Sequence, residues 1–141
     1  MFDLVADVES YPEFVPLCQK LIVKERKQLE DGRQSILAEM TVAYKMLKET
    51  FTSRVLLDKD NLKIDVYFVS GPFKTLTNHW KFAPIEAKSC TIDFHLAYEF
   101  KSRALAFLMG GMFDRAFRHF SQAFVDRAYQ LSADKNDLKV V

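Results

Sequence analysis

Residues 91–117, TIDFHLAYEFKSRALAFLMGGMFDRAF, change their apolar spacing at Lys101. Over residues 91–100 every second residue is apolar, which predicts a β-strand with one apolar face. Over residues 105–131 apolar residues recur at spacings of three and four, which predicts one long amphipathic helix. The stretch therefore predicts a last strand that leads directly into a long C-terminal helix.

The period of two extends back from this strand to about Lys20. Turn signals interrupt it at Asp31-Gly32, at residues 58–61, at residues 70–72 and at Ala83-Pro84. We expect a meander of six antiparallel strands, with one apolar face and one mostly solvated face.

Two short helices are predicted before the strands. Residues 2–8 place their apolar side chains on one helical face. Ser10 and Glu13 have the spacing of a capping box, and Pro12 has a helix-compatible φ, so a second helix is expected to start at Ser10. Pro16 limits that helix to a turn or two.

These elements predict an α+β fold in which a curved antiparallel sheet wraps around the C-terminal helix. A chain of 141 residues suits a single core. We expect one ligand-binding domain over residues 1–132 and a polar tail over residues 133–141.

Composition narrows the class of protein. A net charge of +1 provides no strong field for nucleic acid or an anionic surface. Cys18 and Cys90 lack metal-ligand spacing and favour a reducing compartment. No apolar run is long enough to span a bilayer and no basic leader precedes Asp3. We expect a soluble protein.

The site is predicted to be a hydrophobic cavity between sheet and helix. Met109 and Met112 flank Gly110 and Gly111, which suits an adjustable wall, although close packing on a strand also explains small residues. Each inward aromatic residue can also be ordinary core. The residues predicted to line the cavity and its mouth are Tyr11, Phe14, Val15, Leu17, Met40, Val42, Tyr44, Val66, Phe68, Phe73, Leu76, Trp80, Phe94, Leu96, Tyr98, Met109, Met112, Phe113 and Phe117.

Catalysis finds little support in the sequence. The three histidines are far apart, and neither a nucleophile elbow nor a phosphate loop is present. We predict no catalytic residue and no metal site. The residues to suspect first in an acid/base pair from distant strands are Arg54, Tyr44, His79 and His95.

Three segments carry a resemblance to a known family: FDLVADVESYPEFVPLC (2–18), SGPFKTLTNHWKF (70–82) and AFVDRAYQL (123–131). The chain resembles the START-like, helix-grip proteins of the polyketide cyclase superfamily, in the branch of coenzyme Q-binding proteins and a ribosome-associating toxin. The resemblance implies a lipid-sized tunnel that holds a polyprenyl quinone, no required cofactor, and a carrier or chaperone role in respiration. The alternatives are a toxin that blocks ribosomal subunit joining and a cyclase-type enzyme.

The resemblance also sets expectations about partners. We expect a hydrophobic small molecule or lipid, transient membrane contact and no DNA, with the large ribosomal subunit as the alternative partner. For a bacterial protein the implied location is the cytoplasm, including the surface of the inner membrane. For a eukaryotic protein it is the mitochondrion. Family members have a strand before the short helices, whereas Phe2 is already expected in the first helix. Either the start of the chain has been lost or misassigned, or the sheet has an exposed edge beside its last strand. Binding to a ribosome requires a basic surface. The basic residues that could form one, or simply a solvated strand face, lie around the first hairpin and are Lys20, Lys24, Arg26, Lys27 and Arg33.

The prolines of residues 8–18 suggest a short cover. Pro12 and Pro16 keep this cover short. The side chains expected to close the tunnel mouth are Tyr11, Phe14, Val15 and Leu17.

Overall fold

The computed structural model describes residues 1–44, 46–86, 89–132 and 139–140. The order of elements confirms the predicted α+β class, with short helices first, then six long strands, then helices. The elements are α1 (Phe2–Ala6), a 3₁₀ helix (Val8–Glu13), β1 (Cys18–Gln28), β2 (Gln34–Tyr44), β3 (Leu47–Asp58), β4 (Lys63–Ser70), β5 (Phe73–Glu86), β6 (Ser89–Phe100), α2 (Arg103–Arg118), α3 (Phe120–Ser132) and β7 (Lys139–Val140).

The predicted meander is confirmed. Strands β1 to β6 pair antiparallel in chain order, and β7 adds a short parallel pairing at Ser89 and Cys90. Beyond Cys90, no strand among the described residues pairs with the outer edge of β6. Of the predicted tail, residues 133–138 and 141 lie outside the described residues.

Three of the four predicted turns separate strands, but the break at Ala83-Pro84 is wrong. Pro84 lies inside β5 and pairs with Cys90, next to an irregularity in the register. The pairing of β5 with β4 reaches only Lys81, so the missing N–H of Pro84 interrupts no ladder on that side. β2 ends at Tyr44 and β3 begins at Leu47, a change of strand that was not predicted and that neither Gly nor Pro marks.

The C-terminal helix was predicted as one continuous element, and this is wrong at His119. The His119 N–H donates to the Ala116 carbonyl oxygen at 3.1 Å, three residues back, so the α-helical pattern is interrupted there. The apolar spacing of three and four continues across the break and hides it. The interruption divides the helical segment into α2 and α3, which pack on different parts of the sheet.

The second N-terminal helix begins earlier than predicted and is 3₁₀ rather than α-helical. It starts at Val8, and the Ser10 hydroxyl donates back to Asp7 Oδ2 at 2.6 Å instead of capping a following turn. Pro12 lies within it. The predicted first helix is confirmed as α1, with Phe2 and Val5 buried.

Two apolar clusters fill the space between the sheet and the helices. The first includes Trp80 and Phe124, whose ring centroids are 5.1 Å apart. The second includes Phe73 and Phe113, at 6.2 Å. Met40 and Val66 pack against both clusters. The core is therefore bipartite, and its two halves meet at the middle of the sheet.

Candidate functional site

A cavity of about 80 Å³, here called the central cavity, lies where the two clusters meet. Its walls come from all six long strands, the 3₁₀ helix and the start of α3. It is lined by Val8, Tyr11, Leu21, Ala38, Met40, Phe51, Ser53, Val55, Val66, Leu76, Asn78, Leu96 and Phe120. All are uncharged, and most are apolar, so the cavity suits a hydrophobic guest.

The central cavity is smaller than the lipid-sized tunnel that the resemblance implies. An engineered apolar cavity of roughly 150 Å³ admits benzene, and the central cavity has about 80 Å³. In this conformation it has room for part of a chain or ring, and a longer guest requires wall side chains to move. Met40 is a flexible, half-buried wall residue.

Besides Tyr11, whose hydroxyl donates to the Val5 carbonyl oxygen, the polar side chains in the described lining of the central cavity are Ser53 and Asn78. The Asn78 amide is held at both ends: Nδ2 donates to the His95 carbonyl oxygen at 2.9 Å, and Oδ1 accepts from Trp80 Nε1 at 2.8 Å. The Ser53 hydroxyl is buried and has no hydrogen-bond partner among the described residues. Asn78 and Ser53 thus provide one fixed and one unpaired polar group.

Five of the predicted lining residues border the central cavity. These are Tyr11, Met40, Val66, Leu76 and Leu96. Sequence reasoning did not select Leu21, Phe51, Ser53 or Asn78. Ser53 carried a usable signal, because it occupies an inward position in the apolar alternation of β3.

Three other predicted residues, Leu17, Tyr44 and Met112, line an open groove of about 450 Å³, here called the α2 groove. Phe107 and Leu108 also border it and are 89% and 59% exposed. Its remaining walls are Pro16, Gly111, Arg115, Ala116 and His119. The α2 groove is separate from the central cavity and faces solvent.

The remaining predicted residues have other positions. Phe94 and Tyr98 border a shallow groove at the edge of β6, where the Tyr98 hydroxyl donates to the Asp114 carboxylate. The side chain of Phe117 lies outside the described part of the chain. Phe14 and Phe68 are half-buried against the core. The fully packed core residues are Val15, Val42, Phe73, Trp80, Met109 and Phe113.

Close packing does not account for the two helix glycines. A Cβ placed on Gly110 or Gly111 meets no atom within 4 Å. Both glycines border open grooves, and Gly111 lines the α2 groove.

The predicted cover packs against α3. The Tyr11 and Phe14 rings each lie 5.0 Å from the Phe124 ring, edge to face. The Tyr11 hydroxyl donates to the Val5 carbonyl oxygen at 2.5 Å, and burial raises the pKa of Tyr11. Tyr11 borders the central cavity, whereas Leu17 borders the α2 groove. The segment between them therefore contributes to both.

The residues suspected of catalysis do not converge on the central cavity. His79 Nδ1 lies 2.7 Å from Asp65 Oδ1, and the His79 ring stacks on His95 at 6.1 Å. Arg54 donates to the Ser35 hydroxyl at 2.7 Å. Neither histidine nor Arg54 lines the central cavity, and Tyr44 borders the α2 groove. No group of three metal-ligating side chains occurs among the described residues.

In the parts of the chain that the structure describes, no helix has both the length and the apolar character needed to cross a bilayer. Both cysteines are free thiols, with Cys18 buried and Cys90 half-buried.

A curved antiparallel sheet that encloses an apolar cavity against C-terminal helices defines a helix-grip, START-like protein. The chain belongs to the family described as polyketide cyclase / dehydrase and lipid transport, whose sequence model matches residues 1–125. The resemblance inferred from the sequence is therefore confirmed at the level of family and fold.

Named relatives fall into two groups. The chain is 35% identical over 131 residues to the ribosome association toxin RatA of Escherichia coli, covering 93% of this chain and 79% of the relative. It is 29% identical over 135 residues to the mitochondrial coenzyme Q-binding protein COQ10 of Drosophila melanogaster, covering 94% of this chain and 54% of that protein. The solution structure of an 18 kDa protein from Caulobacter crescentus matches with a TM-score of 0.70 at 36% identity, covering 94% and 88% of the two chains.

Proposed function

We propose that this protein binds a polyprenyl quinone or a similar lipid between its sheet and its C-terminal helices, and carries it in support of respiration. The observation that carries the proposal is the central cavity, whose lining is uncharged and almost wholly apolar. Kinship with a protein named for coenzyme Q binding supports the choice of a quinone.

A carrier is chemically useful for such a ligand. Moving apolar matter from a bilayer into water costs roughly 0.8 kcal/mol per methylene, so a long isoprenoid chain needs an apolar container. The cavity of about 80 Å³ holds the leading part of the ligand. The rest is accommodated when the cover formed by residues 11–17 and the helix α2, with its loosely packed glycines, move outward.

Exchange takes place at a membrane surface. Phe107 and Leu108 are neighbours on α2, expose 89% and 59% of their areas, and border the α2 groove together with Arg115. Arg103 and Arg115 lie on the same helix. Apolar side chains next to cations suit the boundary between headgroups and acyl chains in an anionic bilayer.

The test is organic extraction of freshly purified protein followed by mass spectrometry, with Ala38→Leu as the cavity-filling variant. Ala38 is buried and lines the central cavity, so the added carbons occupy the space of the guest. Ala43→Leu places the same side chain on the other face of β2 and serves as the control. We expect a polyprenyl lipid from wild type and Ala43→Leu and much less from Ala38→Leu. Lipid-free wild-type protein contradicts the proposal.

The second candidate function is association with the large ribosomal subunit, favoured by the identity of 35% to RatA. The basic residues of the first hairpin offer a moderate surface for it. Lys24 pairs with Glu39 at 2.7 Å, and Arg26 pairs with Glu9 at 3.0 Å, so part of that charge is neutralised. Cosedimentation with large subunits that weakens steeply with salt supports this candidate, and its absence at low salt excludes it.

A further inference from the structure

One inward side chain of β3 is polar in an otherwise apolar row. Ser53 lies between Phe51 and Val55, and all three face the central cavity. Ser53 is 5% exposed, and its Oγ has no hydrogen-bond partner among the described residues. Buried polar groups in folded proteins are nearly always paired. The unpaired hydroxyl therefore requires an explanation beyond packing.

The other buried polar side chains are satisfied within the protein. The Ser35 hydroxyl accepts a hydrogen bond from a guanidinium group at 2.7 Å. The Thr41 hydroxyl pairs with a threonine on the next strand at 2.9 Å. The Asn78 amide has partners at both ends. Ser53 is the exception in this part of the chain, and it is the hydroxyl that faces the cavity.

We propose that Ser53 is the polar anchor of the bound ligand. Its hydroxyl both donates and accepts, so it can bind a hydroxyl or carbonyl oxygen at one end of an otherwise apolar molecule. The proposal rests on the proposed function and adds the position and chemistry of the ligand's head. An all-hydrocarbon guest offers this hydroxyl no hydrogen-bond partner.

The lining also determines the charge of that head. Among the residues that the structure describes, no Lys, Arg, His, Asp or Glu side chain borders the central cavity. Burying an ionised group without a partner is costly. The ligand class is therefore one with a neutral oxygen-bearing head, such as a benzoquinone or a long-chain alcohol, rather than a fatty-acid anion or a phospholipid.

The test compares two probes that differ in their ring oxygens, 2-decyl-1,4-benzoquinone and decylbenzene, by isothermal titration calorimetry. Ser53→Ala removes the hydroxyl and leaves the cavity open. We expect it to weaken quinone binding about five- to tenfold, the range for one lost hydrogen bond, and to leave decylbenzene affinity unchanged within about twofold. Decanoate is expected to bind wild type more weakly than the quinone does.

Thr41→Val is the matched control, because it removes a buried hydroxyl that does not border the cavity. Its affinities for both probes are expected to equal those of wild type. If Ser53→Ala lowers the affinity for both probes equally, or for neither, Ser53 is not the polar anchor, although the protein still binds apolar ligands. If wild type binds neither probe, the proposed function fails together with the anchor.

Discussion

Single residues determine how closely the strands of this sheet approach one another. Gly71 has φ of 142°, and a Cβ there would lie 2.5 Å from Phe51 Cβ and 2.9 Å from Phe51 Cα. Phe51 belongs to the wall of the central cavity. The turn between β4 and β5 therefore requires glycine both for its backbone and for the approach of its neighbour.

Gly71→Ala is expected to destabilise the protein by about 3 kcal/mol, since it combines backbone strain with a steric clash. Gly32→Ala is the control. Gly32 also has a positive φ, of 92°, but a Cβ there has nothing nearer than 4.0 Å. Its cost is expected to be about 1 kcal/mol. Urea unfolding measures both, and equal losses would show that the contact with Phe51 is unimportant.

The buried thiol of Cys18 is expected to be unreactive in the folded protein. Burial raises the pKa of its thiol from 9.0 to about 11. At pH 8 roughly one molecule in a thousand then carries the thiolate, so the folded protein should resist thiol reagents. Because folding raises this pKa, the stability contributed by the neutral thiol is complete below pH 9 and is lost as the pH rises toward 11.

Labelling with a chromogenic disulfide reagent at pH 8 checks the Cys18 prediction. Cys90→Ser protein, which retains Cys18, should react only as fast as it unfolds. Cys18→Ser protein, which retains the half-buried Cys90, should react faster. Rapid labelling of folded Cys90→Ser protein would contradict the burial of Cys18.

At the scale of elements, the sequence predicted periodicity better than interruption. The meander was predicted from the period of two in β6 and from the turn glycines. Alternate burial of a strand appears as alternating apolar residues, and a positive φ in a turn favours glycine, so both features can be recognised in the sequence. The break at His119 leaves none, since Phe113, Phe120 and Phe124 keep a helical spacing across it. α2 packs on the cluster of Phe73 and Phe113 and α3 on the cluster of Trp80 and Phe124, a division that the apolar spacing does not reveal.

The exposed face of α2 is expected to contact the membrane. Phe107→Asp should reduce binding to vesicles containing phosphatidylglycerol by about tenfold or more, because burying one Phe contributes roughly 1.5–3 kcal/mol. Folding should be unaffected, since Phe107 is 89% exposed. Leu131→Asp changes a residue of α3 that is 54% exposed and serves as the control. Equal vesicle sedimentation of both variants and wild type would remove α2 as the membrane-contact element.

At the scale of the whole molecule, a bipartite core creates the site. Two clusters, one around Trp80 and Phe124 and one around Phe73 and Phe113, leave a gap where they meet. The sequence indicated apolar inward faces but not the gap, because residue type alone does not separate a packed aromatic from a lining one. Trp80, predicted to line the cavity, is fully packed, and Ser53, which was not predicted, faces the cavity.

The most direct test of the account is the location of an apolar guest by methyl NMR. Protein with labelled Val and Leu methyl groups is titrated with 2-decyl-1,4-benzoquinone. We predict intermolecular contacts and shifts at Val55, Val66 and Leu76 of the central cavity, with Val69 on the exposed face unchanged. Contacts confined to exposed methyl groups, with the cavity methyls unaffected, would contradict it.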